Sequence, residues 1–135
     1  FCPFLIVRLY VCTFVRFLFP DDNQLSDLST LEMLVNLKKL NVKDNKISTT
    51  RGLGTFIGLE ELNVGRNQLT NVSMLGSGSF VRLAVLWLGE NQITNVACLG
   101  NLPRLSFLDL QKNPINATDI VALQEELHES TVLLF

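Results

Sequence analysis

Apolar residues recur in this chain with one spacing: pairs three apart, then two apart, then a polar residue three further on that is Asn each time. Leu37, Leu40, Val42, Asn45 and Ile47 make one copy, and Leu59, Leu62, Val64, Asn67 and Leu69 the next. Leu83, Leu86, Leu88, Asn91 and Ile93 make a third, and Leu105, Leu108, Leu110, Asn113 and Ile115 a fourth. Val15, Leu18, Asn23 and Leu25 form a worn first copy. The Asn residues are separated by 22, 22, 24 and 22 positions, and a fixed period of this size predicts a solenoid of stacked coils. The step of two, as at Leu62 and Val64, is strand alternation. Steps of three, from Ile47 through Leu53, Phe56 and Leu59, suit an extended or 3₁₀-like return on the other side of each coil. One coil cannot bury its own apolar face, so stability accrues by stacking.

The Asn recurs where the chain leaves the strand and bends. A short amide can bond the backbone groups that the bend leaves unpaired, so Asn23, Asn45, Asn67, Asn91 and Asn113 are expected to form a structural ladder without a catalytic role. After Ile115 the triplet stops. Thr118 is the expected N-cap of a helix that buries Ile120, Leu123 and Leu127 and turns Glu125, Glu126 and Glu129 outward, and Thr131–Phe135 reads as a final strand.

The pattern L-x-x-L-x-L-x-x-N-x-I/L, met in full from Leu37 to Ile115, resembles the leucine-rich repeat family. The likeness extends over roughly residues 15–135. The 22-residue unit is similar to the subclass shared by the regulatory leucine-rich subunit of protein phosphatase 1 and by bacterial internalin-type proteins. That resemblance implies an α/β solenoid, with a curved parallel sheet on the concave face, short helical or extended convex segments, and a helix–strand cap at the C-terminus. The domain is expected to span residues 20–135, with the cap from about residue 116.

Residues 1–19 are mostly apolar but carry Arg8 and Arg16. An Arg in mid-membrane costs roughly 2.5–3.5 kcal/mol, and the segment lacks the charge order and exit of a secretory signal. Three readings stay open: a degenerate cap, an anchor or signal remnant, and a misread start. Pro20 stands where an inward strand residue is due, so the first strand is expected to be frayed or bent. Gly76-Ser77-Gly78-Ser79 lengthens one coil by two residues, which belong on the convex side, with Phe80 re-entering the core.

A net charge of −2, with 11 scattered Lys and Arg, gives no basic patch for nucleic acid and points to a protein partner. The three cysteines form no capping cluster and no zinc spacing, and Cys98 reads as a packing residue. This argues for a reducing compartment or a bacterial setting. A cytoplasmic monomer is expected, with a secreted or surface-attached protein as the alternative, and membrane association only if residues 1–19 are an anchor. The sequons at Asn71 and Asn116 read as chance matches. The lone histidine, His128, lies among acids on the terminal helix, and no nucleophile, acid–base pair, metal set or cofactor motif is found, so an enzyme is not expected.

Binding is left to the strand residues that point away from the core. Lys39, Asn41 and Lys43, then Glu61, Asn63 and Gly65, are polar or small. The next two strands supply Val85, Trp87, Phe107 and Asp109, so large apolar side chains stand where alternation places solvent. Either Trp87 and Phe107 only cover one another, or they form an aromatic anchor with Glu61, Glu90 and Asp109 on its rim. The second reading suits a partner with an apolar residue beside a Lys or Arg. The function expected is a protein-interaction scaffold. The alternatives are a regulatory subunit of an enzyme such as a phosphatase and an internalin-like surface adhesin.

Overall fold

A computed structural model of the 135-residue chain describes residues 17–18, 24–32 and 34–135. Its strands are β1 (Phe17–Leu18), β2 (Lys39–Asn41), β3 (Glu61–Asn63), β4 (Val85–Trp87), β5 (Phe107–Asp109) and, after helix α1 (Ala117–Glu126), β6 (Val132–Leu134). They form one parallel sheet in chain order. The register sets equivalent repeat positions side by side: Leu18, Leu40, Leu62, Leu86, Leu108 and Leu133 run across it as one row. Short 3₁₀ turns at Ser29–Leu31, Leu53–Thr55, Ser73–Gly76 and Ala97–Asn101 return the chain to the next strand. This is the expected solenoid. The strand pairing reaches Phe17 and Leu18, whereas Val15, Pro20 and Asn23, expected to belong to the first coil, lie outside the described residues.

The core is the set of triplet positions. Leu37, Phe56, Leu59, Leu62, Leu83, Leu86, Leu88, Ile93 and Leu108 have no exposed surface, and the inward residues of successive coils form one continuous cluster. Removing such side chains from water is worth roughly 1.5–3 kcal/mol each, and each inward residue has neighbours above and below. The two extra residues lie between the 3₁₀ turn at Ser73–Gly76 and Phe80, which is buried, while the strands on either side keep register. Gly78 there has φ of 86° and open space around it. Cys98 is half-buried against the core and its thiol donates to the Val72 carbonyl at 3.4 Å.

The asparagine ladder joins the coils. The Asn67 side-chain oxygen accepts from the Ile47 N–H at 2.9 Å. Its amide nitrogen donates to the Val64 carbonyl of its own coil and to the Val42 carbonyl of the coil before, each at 3.0 Å. Asn91 repeats this with Leu69, Leu88 and Val64, and Asn113 with Ile93, Leu110 and Leu88. Asn45 accepts from Leu25 N–H at 3.1 Å and donates to Val42 and Lys43. Four Asn thus occupy buried or half-buried sites with both ends of the amide engaged.

The C-terminal helix begins two residues earlier than the sequence indicates. Asn116, not Thr118, is the N-cap: its side-chain oxygen accepts from the Asp119 N–H at 2.8 Å, and the Thr118 hydroxyl donates to the same oxygen at 2.6 Å. Asn116 is three residues before Asp119, so its carbonyl oxygen meets the unpaired donor of the first turn, whereas Thr118 is already inside that turn. Ile120 and Leu123 are buried and Leu127 half-buried, with Glu125, Glu126 and Glu129 exposed.

Replacing Asn67 with the near-isosteric Leu should lower stability by about 1–3 kcal/mol, because buried carbonyls and the Ile47 N–H lose their partner while the shape is kept. Chemical denaturation of the parent and Asn67→Leu measures this. Coincident curves would remove the ladder as a source of stability.

Candidate functional site

The outward residues of the strands form two rows across the sheet. Lys39, Glu61, Val85, Phe107 and Val132 make the first, and Asn41, Asn63, Trp87, Asp109 and Leu134 the second. Trp87 and Phe107 therefore meet on a diagonal, with ring centroids 5.5 Å apart and planes inclined at 49°. Both stay partly exposed, as does Val85, while Leu86 and Leu88 beneath them are buried. Tilted pairs at this distance add about 0.5–1.5 kcal/mol beyond the area they bury. The aromatic rings do cover one another, and they still present a common apolar surface to solvent.

The polar members of the second row have local work. Asn41 accepts from the Lys43 N–H at 3.1 Å, Asn63 from the Gly65 N–H at 3.0 Å and Asp109 from the Gln111 N–H at 3.0 Å. Each bond closes the chain as it leaves its strand. Beside Trp87 the residue two on is Gly89, and the Asp109 carboxylate occupies the space a Cβ there would need, 2.9 Å from its ideal position. Gly65, Gly89, Trp87 and Asp109 border a hollow of about 130 Å³, with Lys43 and Lys112 at its edge.

Two of the three rim acids are paired. Glu61 lies 2.6 Å from the Lys39 ammonium on the neighbouring strand. Glu90 belongs to a row that the sequence reading missed: Asp44, Arg66, Glu90 and Lys112 all have left-handed backbone, with φ of 59°, 52°, 58° and 56°. Each immediately precedes a ladder Asn. Their side chains alternate in sign, and Arg66 contacts Asp44 at 3.6 Å and Glu90 at 3.2 Å, while Lys112 contacts Glu90 at 3.2 Å. Hydrogen bonds from Lys112 and then Arg66 hold the Glu90 carboxyl below the usual glutamate value. The signal was present as one charged residue before each of these four Asn with alternating sign, but a left-handed position is ordinarily sought at Gly or Asn. Among the described residues Asp109 forms no ion pair; Glu61 stands beside Val85 in the sheet, and Glu90 lines the hollow with Asn63, Trp87 and Asp109.

His128 is exposed, and its Nδ1 accepts from the Ser130 N–H at 3.2 Å and meets the Ser130 hydroxyl at 2.7 Å. Among the described residues no group of three His, Cys, Asp or Glu is placed to hold a metal ion. No helix among them is long and apolar enough to cross a membrane.

Short parallel strands, a return through 3₁₀ turns and an Asn at the bend of each coil make the fold a leucine-rich repeat solenoid. The leucine rich repeat family model matches residues 57–115. The chain's repeats are similar to those of internalins. An internalin, InlF, from Listeria monocytogenes str. 4b F2365 is 28% identical, with a TM-score of 0.80, over 96% of this chain and 37% of that one. Internalin C2 from the same organism is 26% identical, with a TM-score of 0.66, over 81% of this chain and 46% of that one. The functional domain of InlJ from Listeria monocytogenes, which includes a cysteine ladder, shares the fold at 23% identity and a TM-score of 0.55, over 72% of this chain and 20% of that one. The chain therefore spans less than half the length of each. No curated protein matches it.

Because the folded-state pKa of Glu90 is lowered, its pairing contributes stability above the ordinary value of 4.5 and loses it as pH falls through the depressed one. Melting temperatures of the parent and Glu90→Gln should therefore differ near neutrality and converge in acid. A gap that persists unchanged at low pH would show that the carboxylate's charge is not what stabilises this row.

Proposed function

We propose that the chain is a protein-interaction scaffold whose strand face binds a partner protein through Trp87, Phe107 and Val85. The single observation that carries this reading is the partly exposed aromatic pair, which with Val85 and the exposed Val132 and Leu134 of β6 makes one end of the strand face apolar, whereas Lys39, Asn41, Glu61 and Asn63 make the other end polar. The family and the internalin likeness support a scaffold in general terms. A rigid, half-desolvated Trp beside a small hollow is the kind of group that dominates interface energetics. Glu61 and Glu90 serve as rim groups that keep their own cations, so they shape the border and add little net attraction. Asp109 is the acid left to meet a cation. The partner that fits presents an apolar side chain over Trp87 and a neighbouring Lys or Arg towards Asp109.

The likeness to internalins also favours the secreted or surface-attached alternative over a cytoplasmic one. Fractionation of cells that express the complete gene separates these locations.

Photo-crosslinking from Val85 would identify the partner, and the affinity of Trp87→Ala for it tests the anchor. The expected result is a loss of about 2 kcal/mol or more, close to thirtyfold, with a melting temperature within a few degrees of the parent. Unchanged affinity, or loss of the fold, would remove this surface as the site. Asp109→Asn should weaken binding less and make it less sensitive to salt.

A further inference from the structure

Each coil enters its strand through a tight turn closed by a backbone bond from its fourth residue to its first. Leu37 donates to Leu34 and Leu59 to Phe56 at 3.0 Å, Leu83 to Phe80 at 3.3 Å and Leu105 to Leu102 at 3.4 Å. The first and fourth residues of each turn are core. The second is apolar in all four coils and faces solvent: Val35, Ile57, Val81 and Pro103. Val35 is 53% exposed, Ile57 62% and Val81 51%. Proline has a local reason to stand there, since it presets φ for that turn position. Val and Ile have none. Because coils stack about 4.8 Å apart, the four tips form an apolar ridge about 14 Å long on an edge of the solenoid separate from the strand face.

The ridge is charged differently at its two ends. Glu32, exposed three residues before Val35, stands where later coils have Gly54, Gly76 and Gly100. The third turn residues run Asn36, Gly58, Arg82 and Arg104, so the far end is basic. Among the described residues Glu32, Arg82 and Arg104 form no ion pair with a side chain of the same molecule.

We propose that this ridge is the seat of a second copy of the chain, packed antiparallel about a twofold axis between the Ile57 and Val81 turns. That arrangement sets Ile57 against the partner's Val81, Val35 against the partner's Pro103, and Glu32 beside the partner's Arg104, each contact occurring twice. A parallel arrangement would set Arg against Arg and leave Glu32 opposite its own copy. An isologous contact closes at two subunits and forms no filament. Four turn tips bury an area at the low end of specific interfaces, so the dimer is weak and forms only at high protein concentration.

Sedimentation equilibrium of the full chain across a wide concentration range, at low and high salt, tests this. The parent should pass from monomer to dimer, and salt should weaken the dimer. Ile57→Asp should raise the dissociation constant at least tenfold with its melting curve little changed, because the side chain is largely exposed; Val81→Lys gives a second reading at the same axis. Arg104→Glu should weaken the dimer, and adding Glu32→Arg should restore it. Trp87→Ala should leave the dimer intact, which keeps this contact separate from the strand-face site. A parent that stays monomeric throughout, a species larger than two, a dimer indifferent to both Ile57→Asp and Val81→Lys, or a charge reversal that is not rescued would each overturn the proposal.

Discussion

The buried Asn of each coil is the interaction on which the rest of the structure depends, because at the bend it satisfies buried groups of two coils that the cross-coil backbone bonds there, such as Arg66 N–H to Gly89 and Gln68 N–H to Ile47, leave unpaired. Past each strand the backbone turns inward, and groups such as the Ile47 N–H and the Val42 and Val64 carbonyls are met by the Asn side chain. An amide carries an acceptor and two donors on one short stem, so a single side chain can satisfy a carbonyl in its own coil, a carbonyl in the coil before and an N–H in that coil. Asn67, Asn91 and Asn113 do this in turn. A carboxylate could not donate and a hydroxyl could not reach all three. The residue before each Asn accepts left-handed backbone in consequence, although none of the four is glycine. Such a conformation costs roughly 1–2 kcal/mol at an L-residue, and the amide bonds and cross-coil ion pairs offset it.

The same constraint explains where the chain tolerates irregularity. Strand, bend and ladder must superpose from coil to coil, so the sheet register is kept even across the 24-residue coil. The return segment is tied through its inward triplet residues, its 3₁₀ turn and scattered cross-coil bonds such as Leu28 N–H to the Arg51 carbonyl. Short polar side chains hold the start of each return: Asp27, Thr49, Asn71 and Asn95 occupy equivalent positions, and each accepts the N–H of the residue two further on. Different residue types serve because the task is local. Two added residues between Gly76 and Phe80 therefore disturb nothing that the ladder holds.

This division sets what could be read from the sequence. Inward positions repeat with period and type, so the strands of Leu40, Leu62, Leu86 and Leu108, the buried Phe56 and Phe80, and the ladder Asn were legible without coordinates. Trp87 as an outward residue followed from the alternation of Leu86 and Leu88. Outward pairings were not legible, because they depend on which side chains of neighbouring coils fall side by side. Glu61 and Glu90 looked like open rim acids, yet Lys39, Arg66 and Lys112 sit one coil away. The helix start was misjudged for a related reason: Asn116 and Thr118 are both good capping types, and only the path of the chain after Ile115 decides between them. The ridge of Val35, Ile57 and Val81 was visible as apolar residues between triplet positions, but its exposure required the closed turns.

The second outward row carries a further argument about Trp87. Asn41, Asn63 and Asp109 occupy the same repeat position, and each uses its side-chain oxygen to hold the N–H two residues on. An indole has a donor and no acceptor, so the coil of Trp87 gives up this bond from its own strand residue, a loss of about 0.5–1.5 kcal/mol. The residue two on is glycine, which leaves room for the Asp109 carboxylate to lean in from the next coil. Local stability would be served better by Asn or Asp at position 87. A position that departs from the rule its own repeat follows, and does so with the chain's single tryptophan on the solvent side of buried Leu86 and Leu88, is where selection for something other than folding is expected.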